Sequence, residues 1–250
     1  MEYKKPPLSL NEQCDLLISR GLDVPKREEV VNILKNISYY RLSAYFLPLQ
    51  KERDKFNPQT KIKNIINLYE FDRRLRLIFL DTLEFIEVSL RTNITYFLSH
   101  KYGPFGYLNK ENFSKNFEHK IWLEKVCESI KRSRELFVTH FFDKYKKHSN
   151  PPVWMMTEVI SLGQLSKLFR GLNKSDRQCI SKENYKFPSD FIDSWLHCLT
   201  YIRNLCAHHS RLWNRKLAVA PKIPKHKEKW DIGEKKIFNI LMIFKYMIVK

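Results

Sequence analysis

Glycine is scarce in this chain, six residues in 250. Turn pairs are few as well, and no segment sustains the period-two alternation of a half-buried strand, so the pattern excludes a β-rich fold and predicts an all-α one. Cysteine is sparse too. Cys14, Cys127, Cys179, Cys198 and Cys206 form no C-x-x-C pair and sit among apolar neighbours, which argues against a disulfide framework or a zinc site and for reduced core thiols. No charged-then-apolar leader opens the chain, and the strongly apolar run IFNILMIF is too short to span a bilayer, so a cytoplasmic protein without a membrane role is expected. A Gly-rich phosphate loop is missing, and no cluster of Asp, Glu and His has ligand spacing. Both absences disfavour ATPases and two-metal nucleases, and the expectation is a site without metal or cofactor.

Acidic residues are outnumbered. Twenty-seven Asp and Glu face forty-five Lys and Arg, a net charge of +18, and the natural partner of such a field is a polyanion. A lysine-rich composition spread evenly over solvated surfaces is the ordinary alternative. Clustering argues against an even spread: Lys131, Arg132, Arg134, Lys144, Lys146 and Lys147 crowd one stretch, and a second basic run begins at Arg211. Within that run Arg215, Lys216, Lys222 and Lys225, followed by Lys227 and Lys229, are the expected grip on a nucleic-acid backbone.

The helices follow from spacing and punctuation. Ser9 with Glu12 forms a capping-box pattern and Gly21 a stop, which predicts a first helix from about Leu10 to Arg20. Arg27 to Ile37 and then YYRLSAYF, ended by Pro48, complete a small helical N-terminal lobe over residues 1–50, resembling a helix-turn-helix. DNA reading by that lobe is the least favoured of three functional readings. The polar segment Lys51 to Thr60 is expected to connect it to a bundle over 51–250, the whole forming one compact unit. Apolar residues then recur at three and four from Lys61 to Lys101, a helix of about 60 Å if unbroken. Further helices are expected over Trp154 to Leu172, Ser175 to Asn184, Ser189 to about Arg211, and Gly233 onward. The last has an apolar face and no capping signal, so a natural chain extending past residue 250 is expected.

The chemistry concentrates in HCLTYIRNLCAHHSRLWNR, His197 to Arg215. His197, Tyr201, Asn204, His208 and Arg211 fall on one helical face, while Ile192, Trp195, Leu199, Ile202 and Cys206 fall on the opposite one. Imidazole moves protons near neutral pH, and guanidinium holds the charge a phosphate gains on becoming five-coordinate. Spacing alone is weak evidence, since Arg134 and His140 make a similar pair without an asparagine. On a straight helix Arg203 and His208 stand about 140° apart at roughly 100° per residue. Either the helix ends or bends near Ala207, or a second copy completes the site across a two-fold axis; the second alternative is favoured. Glu84, Glu87 and Arg91 group on the long helix, where they position Arg203, lock the bundle by internal pairing, or form plain surface pairs.

Arg203-Asn204-x-x-x-His208 resembles the signature of the HEPN superfamily of small helical ribonucleases. KPPLSLNEQCDLLISRGL, ISYYRLSAYFLPL, LYEFDRRLRLIFLDTLEFIEVSLRTNI, PPVWMMTEVISLGQLSKLFRGL and YIRNLCAHHSRLWNR occur in the order seen in the bacterial Abi family, abortive-infection proteins of the AbiD/AbiF type. The likeness is thin from about Lys110 to Asn150. It implies a HEPN-like helical bundle, a role in phage resistance or as a toxin, and in some relatives restraint by a small RNA. The resulting expectation is a metal-independent endoribonuclease, dimeric, in which His208 moves a proton, Arg203 stabilises the pentavalent phosphate and Asn204 orients it. His209 is the rival to His208, and Tyr201, His197 and Arg211 rank below. A non-cleaving RNA-binding scaffold is the alternative.

Overall fold

The computed structural model describes residues 2, 4, 6–224 and 236–248. Among them are eleven α-helices and one two-stranded hairpin, so the fold is all-α. The chain divides into two compact units, Met1–Leu77 and Ile78–Lys250.

In the first unit α1 (Leu10–Ser19) starts at the expected capping box, with Glu12 N–H reaching the Ser9 hydroxyl and the Glu12 carboxylate receiving the Ser9 N–H. It stops where glycine permits. Gly21 takes φ +88°, and the N–H groups of Gly21 and Leu22 bond the carbonyls of Ile18 and Leu17, the Schellman closure. α2 (Arg27–Asn36) and α3 (Tyr39–Ser43) follow, the latter shorter than expected because Leu47–Leu49, with Pro48 inside, turns as a 3₁₀ segment. The segment expected as a plain connection folds as a hairpin of β1 (Gln50–Glu52) and β2 (Lys55–Phe56), reversing at Asp54 with φ +65°. Leu17, Val30, Leu42, Phe46, Phe56 and Ile65 form the core of this unit. Within it Tyr45 donates to Asp72 at 2.6 Å, and Arg76 pairs with the same buried carboxylate.

α4 (Ile62–Tyr102) is a single helix of 41 residues, as its periodicity predicts. In the second unit its buried face carries Phe79, Leu83, Ile86, Leu90, Ile94 and Leu98, three or four residues apart. The stretch without a sequence assignment contains α5 (His119–Arg132) and α6 (Leu136–Lys144). The single helix expected from Trp154 to Leu172 is instead two, α7 (Val153–Val159) and α8 (Leu162–Gly171). The break is a second capping box, in which Ser161 and Gln164 satisfy each other's backbone N–H groups and so start a new helix. α9 (Lys174–Tyr185) and α10 (Ser189–Ala207) complete the frame, α10 packing on α8 and α9. α11 (Phe238–Ile248) sets Phe244 edge-on against Phe79 at 5.0 Å between ring centres. The expected start of that helix at Gly233 lies outside the described residues.

Candidate active site

α10 is amphipathic in the manner its spacing requires. Ile192, Trp195, Leu199, Ile202 and Cys206 are buried, and His197, Arg203, Asn204 and His208 are exposed. Its end falls short of the expected Arg211 and matches the less favoured alternative, an end near Ala207. The helix stops at Ala207 and does not reach Arg211: His208 is the C-terminal cap at φ −89° and ψ 13°, and His209 turns left-handed at φ +55°. The N–H of His209 bonds Cys206 O at 3.1 Å and that of Ser210 bonds Leu205 O at 2.9 Å. This is the closure glycine makes at α1, executed here by histidine, one of the few non-glycine residues enriched in that region. The straight-helix angle of 140° therefore does not describe the two side chains, because His208 sits at the turn where the helix ends.

Arg203 faces α4. It lines a cleft of about 430 Å³ together with Leu80, Leu83, Glu84, Glu87, Val88 and Arg91. The triad picked out on α4 thus meets the arginine of α10. Its members are not equivalent. Glu87 pairs with Arg91, whose guanidinium also donates to the Thr157 carbonyl, so these two largely buried groups lock α4 to α7. Arg203 has neither ion pair nor hydrogen bond to its side chain among the described residues, and Glu84 likewise. Two carboxylates and two guanidiniums line the cleft. With Glu87 and Arg91 satisfying one another, the uncommitted charges are Glu84 and Arg203. His208 is not among the described residues that line this cleft; it stands exposed at the end of α10.

The segment after the turn is pinned rather than loose. Leu212 and Leu217 are buried, and α10 holds the stretch over 218–222 by four contacts: Tyr201 Oη accepts from Ala218 N at 3.4 Å, Cys198 donates to Val219 O, Trp195 Nε1 donates to Lys222 O, and Ser194 Oγ accepts from Lys222 N. Tyr201 is accordingly an anchor of the basic segment. Burial pushes the Cys198 thiol up to about 12, so it remains a neutral donor here. Lys216 and Lys222 are exposed, whereas Arg215 is half-buried and bends back to the Arg211 carbonyl at 3.4 Å. Lys225, Lys227 and Lys229 lie outside the described residues.

Of the other sequence features, Arg134 lies between α5 and α6 while His140 lies on α6, so that pair shares no helix. All five cysteines are free thiols. Among the described residues no three His, Cys, Asp or Glu side chains are grouped so as to hold a metal ion, and no helix is long and apolar enough to cross a membrane. Sequence reasoning missed the break at Ser161, although the S-x-x-Q spacing was there to find it, and missed a cavity between α4 and α9 that depends on tertiary pairing.

Compared with known proteins, residues 32–214 match a family model described as Abi-like protein. Neither the curated proteins nor the solved structures yield a match.

Proposed function

The chain belongs to the Abi-like protein family, and from that premise and the α4–α10 cleft we propose that it is an endoribonuclease of phage defence, acting by abortive infection or as a toxin. The observation that carries this reading is the uncommitted Arg203 guanidinium on an open cleft, with an exposed histidine on the capping turn of the same helix. Guanidinium presents a fork of donors that suits phosphate oxygens, and its attraction for the phosphate grows as the pentavalent state gains charge. His208 moves a proton. The ribose 2′-oxygen bonds to phosphorus as its proton leaves, the P–O5′ bond breaks, and O5′ takes a proton, leaving a 2′,3′-cyclic phosphate and a 5′-hydroxyl. Asn204, exposed one residue after Arg203, orients the phosphate. No step requires a metal.

Lys216 and Lys222 hold the strand beyond the cleft. A homodimer fits beside this site because Phe85 and Val88, 60% and 57% exposed, put large apolar groups on the cleft's own stretch of α4. A second copy that covers them brings its own Arg203 and His208 close. One observation favours the non-cleaving alternative, an RNA-binding scaffold: His208 does not line the cleft that Arg203 lines.

The deciding experiment is incubation of single-stranded RNA with the protein in EDTA, with product ends mapped. Cyclic phosphate and 5′-hydroxyl termini, absent from His208→Ala and Arg203→Ala reactions, are expected. RNA that is bound and left intact establishes the scaffold instead.

A further inference from the structure

We infer that the cavity between α4 and α9 is a guanine pocket; this rests on the RNA-cleaving reading in so far as it makes the pocket a reader of the substrate base near the cut. The cavity holds about 600 Å³, within the range of roughly 300–1,000 Å³ of small-molecule sites. Its walls include Asn93, Tyr96, Phe97 and His100 from α4 and Glu183 and Asn184 from α9. It lies just along the helix from Arg203's cleft. Val88 lines the first and Tyr96 the second, eight residues on, which is about 12 Å of helix axis.

An aromatic platform is on offer. Tyr96 is 66% exposed, and its ring lies over His100 at 4.0 Å between centres and 35° between planes. His100 Nδ1 lies 2.8 Å from the Tyr96 carbonyl, which can only accept, so the proton is on Nδ1 and the imidazole is held against the tyrosine. A solvent-facing aromatic in a cavity is what an unstacked base requires.

The polar groups then choose the base. The buried carboxylate nearby, Asp176, is committed on both oxygens, to Lys101 and to Tyr102. Glu183 gives one oxygen to the Cys179 thiol at 3.2 Å, which leaves the other open among the described residues. Asn184 uses one amide N–H on the Ile180 carbonyl at 2.9 Å and keeps the second N–H and its side-chain oxygen. Asn93 likewise spends donor capacity, toward Ser89 and Tyr185. The open oxygens of Glu183 and Asn184 therefore offer two acceptors from α9, with the remaining Asn184 N–H beside them to meet the guanine O6. Guanine is the RNA base with two adjacent donors on its Watson–Crick edge, N1–H and the N2 amine. Adenine and cytosine present one amine there, and uracil a single N–H between two carbonyls.

Two measurements test this on the full-length protein. In the first, guanosine and uridine monophosphates are titrated, followed by the NMR signals of Tyr96 and His100. In the second, cut sites are mapped on an RNA of mixed sequence. Guanosine monophosphate is expected to bind at least about tenfold more tightly than the uridine nucleotide, each good base-edge pair supplying that much discrimination. Glu183→Gln should erase the difference, Tyr96→Ala should abolish the response of His100 to either nucleotide, and Tyr96→Phe should retain stacking. Cuts should fall next to guanines in the parent and lose that bias in Glu183→Gln. Equal binding of the two nucleotides, or a guanine bias that survives Tyr96→Ala, overturns the pocket. If RNA is cut with no base bias, the pocket fails while the nuclease reading stands. Pocket-dependent guanosine monophosphate binding without RNA cleavage upholds the guanine site as one for a free nucleotide and sinks the nuclease reading.

Discussion

Ser210 donates its backbone N–H to the carbonyl of Leu205 across 2.9 Å, and with the His209 N–H on the Cys206 carbonyl this bond closes α10 at the two histidines. Between them the chain passes through His209 at φ +55°, a conformation that costs a side-chain-bearing residue about 1–2 kcal/mol. Glycine there relieves part of that cost, so His209→Gly is expected to raise the melting temperature by about 2–4 °C per kcal/mol recovered in a chain of this size. Cleavage should survive. A more stable protein with no activity would instead move the catalytic proton transfer from His208 to His209.

The proposed chemistry gives His208 and Arg203 separable roles. His208→Ala should lower turnover by a factor of about 10²–10⁴ with RNA binding intact, as befits a proton-transferring group. Arg203→Lys keeps the charge and loses the planar fork, so its turnover should fall while affinity changes little. Single-turnover kinetics beside equilibrium binding read both. Normal rates in the two variants place the active site elsewhere in the protein.

Much of this frame can be read from residues alone, and the exceptions have identifiable physics. Ser9, Glu12 and Gly21 announce α1 because caps are local chemistry, and the 41 residues of α4 are legible from their three-and-four spacing. The apolar stripe of α10 is equally local. Its end is not: His209 adopts the left-handed turn without glycine, so no punctuation marks it. The same limit applies to the cleft. Glu84, Glu87 and Arg91 are visible as a group on one helix, but that Arg91 and Glu87 satisfy each other while Arg203 stays uncommitted depends on residues more than a hundred positions apart.

Arg91→Met tests the lock. The substitution removes the bond to the Thr157 carbonyl and leaves Glu87 without its cation in a mostly buried place, a loss of about 2–3 kcal/mol. Melting should drop by roughly 4–12 °C in a chain of this size. Little change in melting would show that Glu87 and Arg91 are solvent-relaxed and that the lock contributes nothing.

Electrostatics gives a separable readout. Phosphate contacts release counterions, so RNA affinity should fall steeply with salt, and Lys216→Ala and Lys222→Ala should each flatten the logarithmic slope by about 0.7 on a single strand. Anisotropy of a labelled oligonucleotide across a salt series measures it. Unaltered slopes in both variants remove Lys216 and Lys222 from the interface.

Alkaline pH should weaken the fold through its buried phenols. Burial is the leading cause that raises Tyr107, Tyr185 and Tyr45, with the Asp72 carboxylate adding to it at Tyr45. In the folded chain these groups keep their protons above the ordinary tyrosine value of about 10, whereas in the unfolded chain they release them there. The unfolded state then binds fewer protons, so ∂ΔG/∂pH is negative: the stability is fully present below pH of about 10 and is lost as pH climbs beyond it. Each such group contributes a slope of up to about 1.4 kcal/mol per pH unit in that window. Tyr107→Phe forfeits the hydrogen bond to the Pro151 carbonyl, 2.7 Å in the parent, and so lowers stability at neutral pH. Its decline above pH of about 10 should nonetheless be shallower than the parent's. Denaturant titrations at a series of pH values compare the two. Parallel curves would mean that Tyr107 ionises as readily in the folded chain as in the unfolded one.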